Sequence, residues 1–479
     1  MDTKMRRMSP LEDEAGLVDM DEGDAKGRKR KLQMNFGALC VIWLFTFTAY
    51  SGLQNLETAL YQDVGLYTLA ALTGGGVIAC LLAPTAISYI GSKGALIVSW
   101  ICLSFFVAAN FFGFIGSGFK YLLVVAGGVE GLSTGLMWTA QGSITTTIAM
   151  EYHEMIGEPM EKTLSTMFGI FCMFFQSTQV WGNLISSLVL QQTSQITKHE
   201  SNFTFCGADF CPSDVAVLRG GKHGNSTGGP SSLPEPRLIN ILTGIYLGST
   251  AVGLLITIAF LKPVKSSMSD SGVTLKVRLL STVRLLFTNL NMFMLVPFSL
   301  YTGMEQVVMY AEFTNSFVAC KLGIEWIGYT MICFGVCDTV GSLLVGFIGK
   351  FTGRPPLFII ATILNLGVLG IMRFWSFKEE VPFYLFFVIP GVWGLADGIW
   401  QTQSGALVGS AFTEDQEPAF ANLRLFQALG FTVGYLYNVH LCEYIKLYIA
   451  AGTLIVSMIF VAIVEIRIRL KNKPDERLI

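Results

Sequence analysis

Charge is scarce in this sequence. Only 14% of the 479 residues are Asp, Glu, Lys or Arg, whereas soluble globular domains carry roughly 25%. Hydrophobic residues make up 52% of the chain, and its mean hydropathy is +0.55. The net charge is −2, with lysine and arginine scattered at the ends of apolar segments, which argues against a nucleic-acid partner. The composition therefore excludes an ordinary water-soluble domain and indicates a protein embedded in the lipid bilayer.

Motifs for enzymatic chemistry are also missing. The sequence contains no phosphate-binding glycine loop, no metal-ligand spacing and no nucleophile beside a suitable base. Its histidines are far apart and fall in or near predicted loops: His153, His199, His223 and His440. We therefore expect no enzymatic activity, no metal and no cofactor.

Long apolar segments are abundant. A transmembrane helix needs about 20 consecutive apolar residues, and helices are expected because lipid offers no hydrogen-bond partner to an exposed backbone. Twelve segments qualify: 34–56, 64–90, 95–116, 119–149, 163–190, 237–261, 289–312, 323–349, 355–375, 382–410, 418–439 and 443–466. The sequence thus predicts an all-α membrane protein with twelve transmembrane helices.

One stretch of sequence occurs twice. Residues 128–142 read GVEGLSTGLMWTAQG and residues 391–405 read GVWGLADGIWQTQSG. Glycines also bracket two apolar segments of equal length, 65–91 and 323–349. Such a repeat indicates two pseudo-symmetric six-helix bundles, and the repeated glycines are expected to allow close helix packing.

The repeat and the charge pattern divide the chain into domains. They are a cytosolic tail 1–33, a first bundle 34–261, a cytosolic linker 262–288, a second bundle 289–466 and a cytosolic tail 467–479. Lys26 to Lys31 form a basic cluster beside the first helix. Because basic clusters stay on the cytosolic side, both termini are predicted to be cytosolic.

A long loop, 191–236, then lies outside the cytosol. It contains two N-glycosylation acceptors, Asn202 and Asn225, each in an Asn-x-Ser/Thr triplet without proline. Cys206 and Cys211 lie in the same loop. In an oxidising compartment these two cysteines are predicted to form a disulfide with each other, and the alternative is two free thiols.

Several polar or ionisable residues interrupt the apolar segments. The candidates for an intramembrane polar or substrate site are Glu130, Gln141, Asp338, Asp397 and Gln403, with Glu305, Arg373 and Arg424 as further ionisable residues. Intramembrane charges are costly and often functional, so the acids are candidates for binding a substrate or a proton. The alternative for each is a structural ion pair or hydrogen bond between helices.

The layout resembles the major facilitator superfamily, which has twelve helices in two halves of six. That superfamily carries a G-x-x-x-D-R-x-G-R-[KR] motif after helix two, echoed after helix eight. Here the second copy reads GFIGKFTGRP, in which Gly346, Gly353 and Arg354 match but Lys350 and Phe351 replace the acid and the base. The first copy, SYIGSKGA, has diverged further.

Two stretches are similar to the Unc-93 family within that superfamily. They are FTAYSGLQNLETALYQDVGLYTLAAL (47–72) and GLMWTAQGSITT (135–146). The matching residues are Phe47, Thr48, Ala49, Gln54, Asn55, Leu56, Gly65, Trp138, Thr139, Ala140, Gln141 and Gly142. The resemblance implies an accessory role: one type of member regulates a two-pore-domain potassium channel, and another escorts nucleic-acid-sensing Toll-like receptors to endolysosomes.

Two functions remain open at this point. The first is a regulatory subunit that modulates a potassium channel or the trafficking of another membrane protein, in the plasma or endolysosomal membrane. The alternative is a proton- or cation-coupled secondary transporter of a small molecule, in which Glu130, Asp338 and Asp397 carry the proton or cation. A channel pore is disfavoured because the sequence has no selectivity-filter motif.

Overall fold

The computed structural model describes residues 22–61, 63–112, 120–190, 206–211, 236–264, 280–322, 325–375, 382–438 and 440–471. These parts are almost entirely helical and contain no strand. Eight of their helices are long and apolar enough to cross a bilayer. The predicted fold class, an all-α multi-pass membrane protein, is confirmed.

The described part of the first half contains five helices. They are α1 (Glu22–Tyr61), α2 (Asp63–Ala109), α3 (Lys120–Ile156), α4 (Met160–Leu190) and α5 (Pro236–Ala259). Helix α2 covers the predicted segment 64–90 and the predicted segment 95–116 as far as Ala109, and it is broken at Gly91, whose φ is +72°. Glycine adopts this positive φ without steric cost, so the helix kinks there. Helix α1 begins at Glu22, inside the predicted polar tail.

The second half follows the linker, of which residues 265–279 lie outside the described parts. Its elements are α6 (Ser281–Thr288), α7 (Leu290–Met294), α8 (Val296–Val307), a π-helical continuation of α8 (Val308–Ala319), α9 (Glu325–Thr352), α10 (Arg354–Phe374), α11 (Leu385–Ala411), α12 (Gln416–Asn438) and α13 (Glu443–Lys471). Asn289 separates α6 from α7, and its side-chain Oδ1 accepts a hydrogen bond from the backbone N–H of Asn291 at 3.1 Å. This contact caps the start of α7.

The repeated glycines bring helix backbones into contact in both halves. A Cβ atom on Gly135 of α3 would lie 2.5 Å from the backbone nitrogen of Cys80 in α2. A Cβ atom on Gly394 of α11 would lie equally close, 2.5 Å, to the backbone oxygen of Phe334 in α9. Real Cβ atoms do not approach backbone atoms so closely, so only glycine fits. The close packing predicted for the repeated glycines is confirmed at Gly131, Gly135, Gly394 and Gly398, whereas a Cβ on Gly128 would meet nothing within 4 Å.

The two halves meet at the end of the molecule that contains Arg354, called the Arg354 end below. Helix α3 contacts α12 there through Ser143, whose hydroxyl donates to Glu417 Oε1 at 3.2 Å. Helices α4 and α9 pass so close that a Cβ on Gly346 would lie 2.8 Å from Gly169 Cα. Arg354 itself forms ion pairs with Glu161 of α4 and Glu465 of α13. One guanidinium therefore connects the two halves.

The loop between α4 and α5 is bonded to the second half at the opposite end, called the disulfide end below. Cys206 forms a disulfide with Cys320, and Cys211 forms one with Cys442. The predicted bond between Cys206 and Cys211 is wrong. The partners are 114 and 231 residues away along the chain, so proximity in sequence misled the prediction.

Packing explains why the loop cysteines pair with distant partners. Residues 206–211 contain a short 3₁₀ turn, Gly207–Asp209, and lie against α10, α13 and the π-helical continuation of α8. Ala208 is 4% exposed, and the backbone oxygen of Phe210 accepts a hydrogen bond from the N–H of Glu443 at 2.8 Å. Asn202 and Asn225 lie outside the described residues, so their glycosylation stays a prediction.

Candidate functional site: a central cavity and a carboxyl cluster

A cavity lies between the two halves. Its volume is about 120 Å³, which is enough to hold several waters. Helices α1 to α4 line it from the first half, and α8, α11 and α12 line it from the second. Its polar lining consists of Tyr50, Ser51, Gln54, Thr73, Glu130, Thr134, Gln179, Gln306, Tyr310, Gln401, Arg424 and Gln427. Polar side chains of both halves therefore line the same cavity.

Arg424 of α12 is the one cation in this lining. Its guanidinium lies over the ring of Trp138, 4.4 Å from the centroid, so α12 of the second half stacks on α3 of the first. One nitrogen, Nη1, donates to Gln427 Oε1. The buried Nε has no hydrogen-bond acceptor among the described residues, and no described carboxylate lies within 4.0 Å of the guanidinium.

Glu130 of α3 is the acid in the same lining. It is 2% exposed, and Ser133 Oγ donates to its Oε2 at 3.0 Å. Eight residues separate it from Trp138, which corresponds to roughly 12 Å along a helix. The cavity therefore has an acid and a base that do not pair with each other.

A cluster of three carboxyl groups lies inside the second half. Glu305 of α8, Asp338 of α9 and Asp397 of α11 are each 0% exposed. The Asp397 carboxyl neighbours those of Glu305 and Asp338. Among the described residues, Glu305 Oε1 and Asp338 Oδ2 receive no N–H or O–H donor. Neighbouring carboxylates repel one another, so placing three of them together in one bundle is electrostatically costly when they are charged.

Neutral donors surround this cluster. Asp397 accepts hydrogen bonds from Gln401 at 3.0 Å, Gln176 at 3.2 Å and Gln306 at 3.4 Å. Trp393 Nε1 donates to Glu305 Oε2 at 2.9 Å, and Ser342 Oγ donates to Asp338 Oδ1 at 3.3 Å. Gln306 and Gln401 also line the cavity. The side chains of Gln306 and Gln401 therefore lie between the carboxyl cluster and the cavity.

The five site residues proposed from the sequence do not form one site. Glu130 lines the cavity, whereas Asp338 and Asp397 belong to the carboxyl cluster. Gln141 donates to Thr145 of its own helix at 3.0 Å, and Gln403 donates across the halves to Ser165 at 3.2 Å. The two glutamines of the repeated motif thus lie in helix packing, outside the cavity lining.

Sequence reasoning did not assign three important roles. Glu305 was recognised as an intramembrane acid, but nothing in its spacing indicated contact with Asp397. Arg424 was recognised as a buried base, but its stacking on Trp138 depends on how the helices are arranged, which the sequence does not show. The amide donors to Asp397 come from three different helices, which no local sequence pattern reveals. Among the described residues no group of His, Cys, Asp and Glu suits a metal ion.

Two helical bundles around a central cavity define a membrane protein of the major facilitator fold. A solved structure of the fucose transporter FucP in its outward conformation has a TM-score of 0.64 and 12% identity, and the match covers 91% of this chain and 99% of FucP. At this identity the likeness concerns the fold alone.

The family is shown by sequence. Residues 58–464 match the family model described as "Ion channel regulatory protein UNC-93", and the chain belongs to the UNC-93 family. Human protein unc-93 homolog A is 37% identical over 432 residues, covering 88% of this chain and 91% of the human protein. The Caenorhabditis elegans putative potassium channel regulatory protein unc-93 is 28% identical over 449 residues, covering 92% of this chain and 62% of the worm protein.

Proposed function

We propose that this chain is an accessory subunit that regulates another membrane protein, in the first instance a potassium channel. The family match over residues 58–464 carries this proposal, because the family model describes ion channel regulators. The worm relative is named as a putative potassium channel regulator, and it aligns with 92% of this chain. The partner of this chain is thus proposed to be an ion channel in the same bilayer.

Connections between the halves support a scaffold role. Arg354 joins α4 to α13 at one end of the molecule. At the other end, the loop of the first half is bonded to Cys320 and Cys442 of the second. A protein whose halves are connected at both ends presents a defined outer surface to a neighbouring membrane protein.

The disulfides also support the proposed orientation. Structural disulfides persist in oxidising compartments and are rare in the cytosol. The disulfide end is therefore proposed to face the lumen or the exterior, in the plasma or endolysosomal membrane. Both tails then lie in the cytosol, in agreement with the basic cluster Lys26 to Lys31. A terminal epitope that antibodies reach in intact, unpermeabilised cells would overturn this orientation.

The test is co-expression with a panel of two-pore-domain potassium channels. We expect at least one channel to co-purify with the chain. Co-expression should also change that channel's current or its density at the cell surface. The matched control is the fucose transporter FucP, which shares the fold at 12% identity and reports on membrane crowding alone. Unchanged currents and surface density across the panel, with no channel recovered, would contradict the proposal.

A second candidate function is proton- or cation-coupled transport of a small molecule. It is favoured by the carboxyl cluster, which lies directly behind the cavity wall formed by Gln306 and Gln401. In proteoliposomes, substrate uptake should require an imposed ion gradient and should be lost in Asp397→Asn. Uptake that is independent of the ion gradient, or that is retained in Asp397→Asn, would exclude a coupling role for the carboxyl cluster.

A further inference from the structure

Arg424 is a buried cation without a counter-charge. Its Nε has no acceptor, and no carboxylate among the described residues reaches its guanidinium. Buried charges in proteins are normally paired, because removing a charge from water without a partner is costly. Trp138 stabilises one face of the guanidinium at 4.4 Å but supplies no negative charge. Arg424 lines the cavity, so the cavity is where a missing partner fits.

We propose that the cavity binds a small organic monoanion whose carboxylate pairs with Arg424. A guanidinium presents parallel N–H groups that match the two oxygens of a carboxylate. Stacking on Trp138 and the contact with Gln427 fix the plane of this fork before the ligand arrives. This inference concerns ligand binding to the isolated chain, so it depends neither on the proposed channel partner nor on transport.

The remaining lining indicates the body of the ligand. Five carboxamide side chains face the cavity: Gln54, Gln179, Gln306, Gln401 and Gln427. Gln306 and Gln401 already donate to Asp397, and Gln427 accepts from Arg424. An amide has both donors and an acceptor, so one bond leaves further hydrogen-bonding capacity, and such a polar lining suits neutral hydroxyl groups better than a hydrocarbon chain. Tyr310 and Trp138 add apolar faces for the carbon skeleton. The chemistry points to a hydroxylated carboxylate, such as a sugar acid.

Glu130 limits the charge of the ligand. It lies in the same lining, roughly 12 Å along α3 from Trp138. Glu130 forms no ion pair with Arg424, and its negative charge in the same lining would repel a second carboxylate on the ligand. A monoanion is therefore favoured over a dianion of the same skeleton.

The test measures binding to the purified full-length chain in lipid nanodiscs. The probes are D-glucuronate, neutral D-glucose and the dianion D-glucarate, each titrated by calorimetry and by thermal shift. We expect D-glucuronate to bind most tightly of the three. Replacing Arg424 removes a charge-assisted contact, so Arg424→Gln should weaken D-glucuronate binding roughly 10- to 100-fold and leave any D-glucose binding unchanged.

Matched variants keep the test decisive. Arg373→Gln removes a guanidinium that contacts Tyr448 outside the cavity, and it should bind D-glucuronate like the wild type. Arg424→Lys keeps the charge without the fork, so its affinity should fall between those of wild type and Arg424→Gln. If Arg424→Gln does not fold, the proposal is tested by the affinity of Arg424→Lys for D-glucuronate and by the affinities of the wild type for the three probes. Equal binding of D-glucose and D-glucuronate, full affinity in Arg424→Gln, or no binding of D-glucuronate would each overturn the proposal.

Discussion

Replacement of Arg354 tests the connection between the halves most directly. The side chain is 4% exposed, and its Nε lies 2.8 Å from Oε1 of Glu465, which is itself 8% exposed. Nη1 donates to Ser410 Oγ at 2.9 Å and lies 3.4 Å from Glu161 Oε1. Glu161 is 49% exposed. The two ion pairs of one arginine therefore differ sharply in their access to water.

Burial sets the expected magnitudes. Arg354→Met leaves the Glu465 carboxylate buried without a counter-charge, which should lower the free energy of unfolding by about 3–5 kcal/mol. Arg354→Met combined with Glu465→Met removes both charges and fills the space with apolar atoms, so most of this loss should be recovered. Glu161→Gln changes only the exposed pair and should cost less than about 1 kcal/mol.

The assay is reversible unfolding in mixed micelles, followed by circular dichroism as the denaturing detergent is increased. The three variants and the wild type form a series in which only the single Arg354→Met variant should be strongly destabilised. A cost for Arg354→Met no larger than that of Glu161→Gln would refute the assigned buried pair. A double variant as unstable as the single one would show that an unpaired Glu465 is not the source of the loss.

Three further predictions follow from contacts in the fold. Gly131→Ala places a Cβ against the backbone oxygen of Leu72, whereas the Cβ of Gly128→Ala meets nothing within 4 Å. Gly131→Ala should therefore lower the free energy of unfolding by about 1–3 kcal/mol through overpacking. Equal stability of the two variants in the micelle assay would contradict this packing. Non-reducing peptide mapping should recover the pairs Cys206–Cys320 and Cys211–Cys442. Cys206→Ser should cost about 2–5 kcal/mol and leave Cys320 as a free thiol that maleimide labels after denaturation, and a recovered Cys206–Cys211 peptide would disprove the assignment. Tyr246 Oη donates to the backbone oxygen of Gly182 at 2.8 Å, so Tyr246→Phe should cost about 1–2 kcal/mol, and an unchanged midpoint in the same assay would argue against that bond.

The sequence was sufficient for features that depend on local pattern. Apolar length predicted the spans, because a helix satisfies its own backbone wherever lipid excludes water. The repeated glycines predicted backbone contact in both halves, and Gly135 and Gly394 meet their neighbours in the same way. In each case the physical cause operates within one helix or between helices of the same half.

Features that depend on how the helices are arranged could not be predicted from the sequence. The partner of Cys206 is set by where the loop packs on the second half, and sequence spacing carries no information about that choice. The same holds for Glu305 and Asp397, which lie 92 residues apart in the sequence and meet only in the bundle. Arg354 was recognised as part of a family motif, but its burial beside Glu465 was not.

The two long-range disulfides have a consequence for biosynthesis. Cys211 has to wait for Cys442, which is made 231 residues later, or roughly 10–50 s at ordinary rates of translation. In the orientation proposed above, its thiol would meanwhile face the oxidative folding enzymes of the secretory pathway. The native pairs form only after the second half has been made, so in that orientation native pairing of this loop would report that the chain is complete.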